Sequence, residues 1–157
     1  MAAAPLFQCK SRFLAACVLA AVTASGVFAD DLYTPTHSPD RYIGQIQAHS
    51  SDEVSDILHR LEGLLDSESD YPVSQPLALV LHGDEVNAFL RQNYAQNREL
   101  VDLAARLDAF NAIDIQVCET WMRGASVHRD DLPAFVDTVP YGPTREQELL
   151  DEGYEYF

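Results

Sequence analysis

This 157-residue chain contains a single lysine, Lys10. The 25 acidic residues outnumber the 10 lysines and arginines, and the formal net charge is −15. Such a surplus repels the phosphates of nucleic acids and of anionic membranes, so we expect neither as a partner. Two explanations of the missing lysine stay open, adaptation to high salt and a genomic base composition that favours arginine codons.

Glycine-rich phosphate loops and internal repeats are also missing. Gly83, which follows the apolar run at residues 77–81, stands alone, so the sequence does not predict a nucleotide-binding loop. The five histidines are too scattered to form a metal-binding spacing motif, and we expect no metal and no organic cofactor. A site assembled in three dimensions from Cys118, His82 and His128 is the metal-binding alternative, since thiolate and imidazole suit zinc or copper.

Residues 1–29 have the pattern of a cleavable export signal. Lys10 and Arg12 precede an apolar run at residues 13–28, which ends in small residues before a polar segment. The run is short for a membrane-spanning helix, which needs about 20 residues, and an uncleaved anchor is the alternative. Cleavage after Ala29 predicts a periplasmic or secreted protein. It leaves eight arginines against 25 acidic residues, a net charge of −17.

The chain has three cysteines, and cleavage of the predicted export signal would remove two of them. Cys9 and Cys17 lie within the predicted signal, so cleavage leaves Cys118 without an internal disulfide partner. Cys118 ends the strand-like run at residues 113–118. A lone thiol of this kind is buried and inert, paired with another chain, or used chemically.

Apolar periodicity predicts one α/β domain at residues 41–157, after a linker at 30–40. Strands are predicted at 41–47, 77–81, 113–118, 135–139 and 154–157. Helices are predicted at 50–65, 84–94, 97–110 and 144–152, with shorter pieces at 119–124 and 130–135. Ser50 and Glu53 form a capping-box pattern at the first helix, and Thr144 is the predicted cap of the last. Alternating strands and helices are typical of a parallel sheet with helices on both faces.

Two of these strands end in residues with useful chemistry. His82 follows one strand and Cys118 ends the next, and ligands of open α/β sheets bind beyond the carboxyl ends of the strands. A neighbouring histidine or arginine lowers the pKa of a thiol, so His82 and the nearby Arg123 are candidate partners of Cys118. The carboxylate of Glu119, by contrast, is expected to raise the pKa of the thiol. A buried, inert Cys118 and a structural His82 are the alternatives.

Aromatic residues give two further candidates. Trp121 follows Cys118 by three positions and shields the thiol, fills a subunit contact or packs in the core. The aromatic tail at residues 153–157 is either an assembly surface or a strand that completes the sheet.

Four of these segments, taken in order, resemble the DsrE/DsrF-like family of small sulfur-relay proteins, in particular its exported single-domain members. The resemblance spans residues 41–157. The matching segments are residues 77–81 with His82-Gly83, Val117-Cys118 followed by Thr120, residues 136–139 with Pro140-Tyr141-Gly142, and residues 149–156.

The resemblance implies a flavodoxin-like, three-layer α/β domain with a mostly parallel sheet of about five strands. It also implies a homo-oligomer, a trimer or hexamer, in which Cys118 carries sulfur as a persulfide. His82 and Arg123 would tune the thiol, and Gly83, Thr120 and Trp121 would line the site. The partner would be a sulfur-transfer protein or a small sulfur compound.

Two features depart from the family pattern. Glu119 stands where a small residue is expected after the cysteine, and the best-known sulfur relays are cytoplasmic, whereas this chain is predicted to carry an export signal. Two other functions therefore stay open. One is a non-catalytic oligomeric binding module with a buried structural cysteine, and the other is a thiol redox sensor.

Overall fold

The computed structural model describes residues 41–66 and 75–157, which belong to one compact unit at Pro35–Phe157. The predicted signal peptide and linker lie outside the described residues. Among the helices that are described, none is both long and apolar enough to cross a membrane.

Strands and helices alternate along the chain. The strands are β1 (Tyr42–Ile43), β2 (Leu77–Leu81), β3 (Ile113–Cys118), β4 (Val136–Val139) and β5 (Glu155–Tyr156). The α-helices are α1 (Ser51–Asp66), α2 (Arg98–Ala109), α3 (Glu119–Ala125) and α4 (Gly142–Asp151). Short 3₁₀ segments lie at Asp84–Phe89, Arg91–Asn93 and Arg129–Asp131.

The five strands form one sheet in the order β4-β3-β2-β1-β5, and every pair in it is parallel. The chain steps across the sheet from β1 to β4 and then returns to place β5 beside β1. The prediction of a flavodoxin-like α/β domain with a parallel sheet of about five strands is confirmed.

Each face of the sheet has its own core, because side chains along a strand point alternately to opposite faces. On one face, alternate residues of β2 and β3 pack with α1 and α2 in the larger core. On the other face, a smaller core joins Ile43, Ala78 and Val80 to Leu149 of α4. All five residues of β2 are buried, which explains its unbroken apolar sequence.

The first helix begins as predicted, but only half of its capping box forms. The Ser50 hydroxyl accepts the backbone N–H of Glu53 at 3.2 Å. The Glu53 carboxylate accepts the N–H groups of Gln47 and Ala48, at 2.7 and 2.8 Å, so it ties down the connection that precedes the helix. This connection is irregular from Gly44 onward, so β1 is shorter than the predicted strand at 41–47.

Two predicted helices differ in the structure. The helix predicted at 84–94 consists of the two 3₁₀ segments, separated by Leu90 in an extended conformation with ψ of 132°. Its residues Glu85, Val86, Ala88 and Phe89 are all buried. The last helix starts at Gly142 with Pro143 in its first turn, so the predicted cap at Thr144 is wrong.

Candidate functional site

Cys118 lies at the carboxyl end of β3, where it pairs with Val139 of β4 and immediately precedes α3. Its side chain is only 2% exposed. Within residues 41–66 and 75–157, no hydrogen bond to its thiol is formed and no other cysteine is present. The strand end predicted from sequence is confirmed, and the thiol at that end is enclosed.

His82 is the neighbour of Cys118 across the sheet. Leu81 pairs with Val117, so His82, one residue beyond β2, lies level with Cys118. The His82 side chain lies on the α4 face, because a Cβ added to Gly142 would meet the Cβ of His82 at 2.8 Å. The His82 Nε2 lies 3.7 Å from the Glu146 carboxylate. The two residues are thus adjacent without a hydrogen bond between their side chains.

A second group of residues at this edge was not predicted from sequence. We call His49, His82, Gly83 and Glu85 the Glu85 cluster. Glu85 is completely buried, and its Oε1 accepts the backbone N–H groups of both His82 and Gly83 at 2.8 Å. Its Oε2 lies 3.1 Å from the Nδ1 of His49. The rings of His49 and His82 are in contact, with centroids 4.6 Å apart.

The backbone of the Glu85 cluster is shaped around the His49 ring. His49 adopts a left-handed conformation with φ of 51°, which is uncommon for residues other than glycine. A Cβ at Gly83 would meet the His49 Cγ at 2.6 Å and the Glu85 Oε2 at 2.7 Å. Gly83, predicted to line the site, therefore allows the close approach of His49 and Glu85.

Arg123 and Thr120 lie on α3 and bond to groups other than the thiol. The Arg123 guanidinium donates to the Thr120 hydroxyl at 2.8 Å and lies 3.8 Å from the Glu119 carboxylate. The Thr120 hydroxyl in turn donates to the carbonyl of Pro140 at 3.0 Å, which joins α3 to the β4–α4 connection. The Glu119 carboxylate also accepts the Thr138 hydroxyl at 3.2 Å.

Trp121 and His128 lie away from His82. Trp121 is half-buried and packs against the larger core. His128 and Arg123 line a shallow cavity of about 230 Å³ between α3 and β4. In the described ranges no three histidine, cysteine or acidic side chains are placed to hold a metal ion, so Cys118, His82 and His128 do not converge there.

A polar network occupies the α4 face of β3. The Gln116 amide donates to Asp114 at 2.6 Å and accepts the Arg145 guanidinium at 3.1 Å. Desolvation by burial raises the pKa of Asp114 above its ordinary value, and the nearby Asp137 adds to this effect. The hydrogen bond from Gln116 opposes the increase in pKa.

Comparisons with known proteins support the fold alone. No family model matches this sequence, and no curated protein matches it. A similar solved structure is that of a protein of unknown function, MTH1491 from Methanobacterium thermoautotrophicum. It has 19% sequence identity and a TM-score of 0.51, and the match covers 74% of this chain and 94% of that chain. The chain therefore shares its fold with this archaeal protein.

Proposed function

We propose that this protein is an exported, homo-oligomeric DsrE-like sulfur carrier of the periplasm that acts through Cys118. The observation that carries the proposal is the position of Cys118, at the carboxyl end of a central parallel strand and level with His82. Reactive groups of open α/β sheets belong at this edge. The trimer or hexamer and the partner sulfur-transfer protein are part of the same proposal.

The proposed reaction moves one sulfane sulfur atom. The Cys118 thiolate attacks the outer sulfur of a donor persulfide, R–S–SH, and forms a new S–S bond. The donor S–S bond breaks, and R–S⁻ leaves with the electron pair. The product is a Cys118 persulfide, and the reaction involves no net oxidation and no cofactor.

Access is the step that limits this reaction. Because Cys118 is 2% exposed, a donor reaches it only when the edge opens locally. The residues beside it belong to surface segments: Thr120 and Tyr141 are both exposed, and Tyr141 lies in the β4–α4 connection.

Mass spectrometry tests the proposal. The full chain is exposed to cysteine persulfide, polysulfide and thiosulfate, then alkylated, digested and analysed peptide by peptide. We expect the Cys118 peptide to gain one sulfur atom. The Cys118→Ser variant keeps Cys9 and Cys17, so it reveals any sulfur bound at those positions instead. A wild-type Cys118 peptide that gains no sulfur from any donor refutes the carrier function.

A second candidate is favoured by the burial of Cys118. In a non-catalytic oligomeric binding module, the cysteine serves as a small core residue, a common role of buried cysteine. Labelling of the native protein with a thiol reagent separates the two candidates. A sulfur carrier is labelled slowly but completely under native conditions, whereas the module is labelled only after unfolding.

A further inference from the structure

The Glu85 cluster contains a buried carboxylate that the proposed sulfur chemistry does not use. Burying a carboxylate is unfavourable unless it is well hydrogen-bonded, as Glu85 is. Two of its three partners are the backbone N–H groups of His82 and Gly83. A purely structural role explains those two bonds, but it does not explain the third partner, the His49 ring.

The hydrogen bond to Glu85 fixes the tautomer of His49. An ionised carboxylate only accepts hydrogen bonds, so the neutral His49 ring carries its proton on Nδ1 and donates it to Oε2. Nε2 is then the unprotonated nitrogen. It has no hydrogen-bond partner in the described part of the chain, and the His49 side chain is 34% exposed. The arrangement of carboxylate, Nδ1–H and free Nε2 is that of a histidine general base.

His49 is also close to the proposed reaction. Its ring contacts the ring of His82, which lies level with Cys118 on the neighbouring strand. Adjacent strands are about 4.8 Å apart, and a persulfide extends the cysteine by one S–S bond of about 2 Å. Because β2 lies between β3 and β1, Cys118, His82 and His49 follow one another along this edge of the sheet, with the two rings 4.6 Å apart. An acceptor thiol placed over His82 would lie between the outer sulfur of a Cys118 persulfide and the His49 ring. His82 differs, because its Nε2 faces the Glu146 carboxylate.

We propose that His49 is the general base that deprotonates the thiol accepting sulfur from Cys118, and that Glu85 is its positioning residue. This inference rests on the proposed sulfur-carrier function. The acceptor thiol gives its proton to His49 Nε2, and the resulting thiolate attacks the outer sulfur of the Cys118 persulfide. The persulfide S–S bond breaks, the acceptor leaves as a persulfide, and Cys118 becomes a thiolate. The proton held by His49 then returns to that thiolate.

The effect of His49 on the rate of sulfur transfer depends on the fraction of the acceptor thiol that is already ionised. A thiol with a pKa of about 8.5 is roughly 3% ionised at pH 7, so complete deprotonation raises the reactive fraction by at most about 30-fold. Above pH 8.5 the acceptor ionises without help, and the advantage of a base disappears. A merely structural role for His49 predicts a defect that does not change with pH in this way.

The variant His49→Asn removes the base with little change to the backbone. Asparagine tolerates the left-handed conformation, and its amide N–H₂ lies where Nδ1–H of histidine donates to Glu85. His59→Asn on α1 is the matched control, because His59 is exposed and, among the residues that the structure describes, pairs only with Glu62. In Glu85→Gln, one side-chain oxygen still accepts the N–H groups of His82 and Gly83, but an amide N–H₂ faces His49.

The experiment has two readouts on the full chain. The first is the rate at which the Cys118 persulfide passes sulfur to a small thiol with a pKa near 8.5, between pH 6 and pH 9.5. We expect His49→Asn to slow transfer by 10- to 30-fold at pH 7, with the gap closing above pH 8.5, and His59→Asn to have no effect. The second is long-range ¹H–¹⁵N NMR of the His49 ring. We expect the Nδ1–H tautomer in the wild type and the Nε2–H tautomer in Glu85→Gln.

The possible results separate this inference from the function on which it rests. If the Cys118 persulfide forms and transfers sulfur equally fast in the wild type and in His49→Asn at every pH, then His49 is not the general base. The proposed carrier function is unaffected by that result. A wild-type His49 ring that carries its proton on Nε2 would also refute the role of His49 as the base. If no Cys118 persulfide forms, the carrier function fails and the inference fails with it. Slower transfer at pH 7 that recovers at high pH, together with the tautomer change, supports both.

Discussion

Replacing Gly83 with alanine tests how the Glu85 cluster is built. The backbone of Gly83 is extended, with φ of −134° and ψ of −156°, so an L-residue is allowed there and any cost comes from space. The new Cβ would lie 2.6 Å from the His49 Cγ, and 2.7 Å from both the His49 Cβ and the Glu85 Oε2. The two His49 atoms lie at the base of the ring, and the Glu85 carboxylate is held by its contacts with His82, Gly83 and His49.

The magnitude is the sum of two opposing effects. Overpacking of this kind costs about 1–3 kcal/mol, and displacing Glu85 weakens hydrogen bonds worth about 1 kcal/mol each. The loss of a glycine restricts the unfolded chain and returns about 0.4–1 kcal/mol. We expect Gly83→Ala to lower the free energy of unfolding by about 2 kcal/mol. Urea unfolding, followed by the fluorescence of the single tryptophan, Trp121, measures it.

Gly63→Ala is the matched control, because no described residue lies within 4 Å of a Cβ added at Gly63, in the interior of α1. The same chemical change should stabilise the protein there by up to about 1 kcal/mol. In a His49→Gly background, the contacts of the new Cβ with the ring are gone, so the cost of Gly83→Ala should fall by about 1 kcal/mol. A Gly83→Ala variant as stable as Gly63→Ala, or a cost unchanged by His49→Gly, would refute the proposed packing.

Two further changes probe the helix cap and the network on the α4 face. Ser50→Ala removes the hydroxyl that caps α1 and should lower the free energy of unfolding by about 1 kcal/mol, whereas Ser51→Ala, within the helix, should not; urea unfolding of both decides. Burial raises the pKa of Asp114 in the folded protein. The contribution of Asp114 to stability is therefore complete at a pH below the pKa of the unfolded state, about 3.9, and is lost as the pH rises through the higher pKa of the folded state. Asp114→Asn should therefore raise the melting temperature at pH 7 and reduce its change between pH 4 and pH 7; an unchanged pH dependence would contradict this.

Most of the fold was predictable because its signals are local. The strand Ile113–Cys118 and the apolar stripe of α2 were predicted from the spacing of apolar residues along the sequence. The same spacing decides which residues are buried in the folded protein. The segment at residues 84–94 was mispredicted as one helix, because its buried residues Val86, Phe89 and Leu90 also fit the i, i+3, i+4 spacing of an α-helix. The cap of α4 was misplaced because Thr144 matches a capping motif, whereas Pro143 had already set the first turn.

The candidate site was predictable only in part. Cys118 and His82 were found because each marks a strand end, and the topology places strand ends together. Glu85 was missed because a predicted helix would expose it, and His49 because it lies 36 residues away on a different connection. The one local signal was a carboxylate three residues after His82, at the point where a strand leaves backbone N–H groups without partners.

The arginines bear on which donor suits the proposed carrier. Each of the eight arginines in the described part of the chain already contacts another group. These contacts are made by Arg41, Arg60, Arg91, Arg98, Arg106, Arg123, Arg129 and Arg145. The described residues also contain no lysine. The formal net charge of the chain is −15, so long-range electrostatics disfavour the approach of an anionic donor such as thiosulfate. A neutral or protein-bound persulfide avoids that repulsion, which favours a partner protein over a free sulfur anion as the donor.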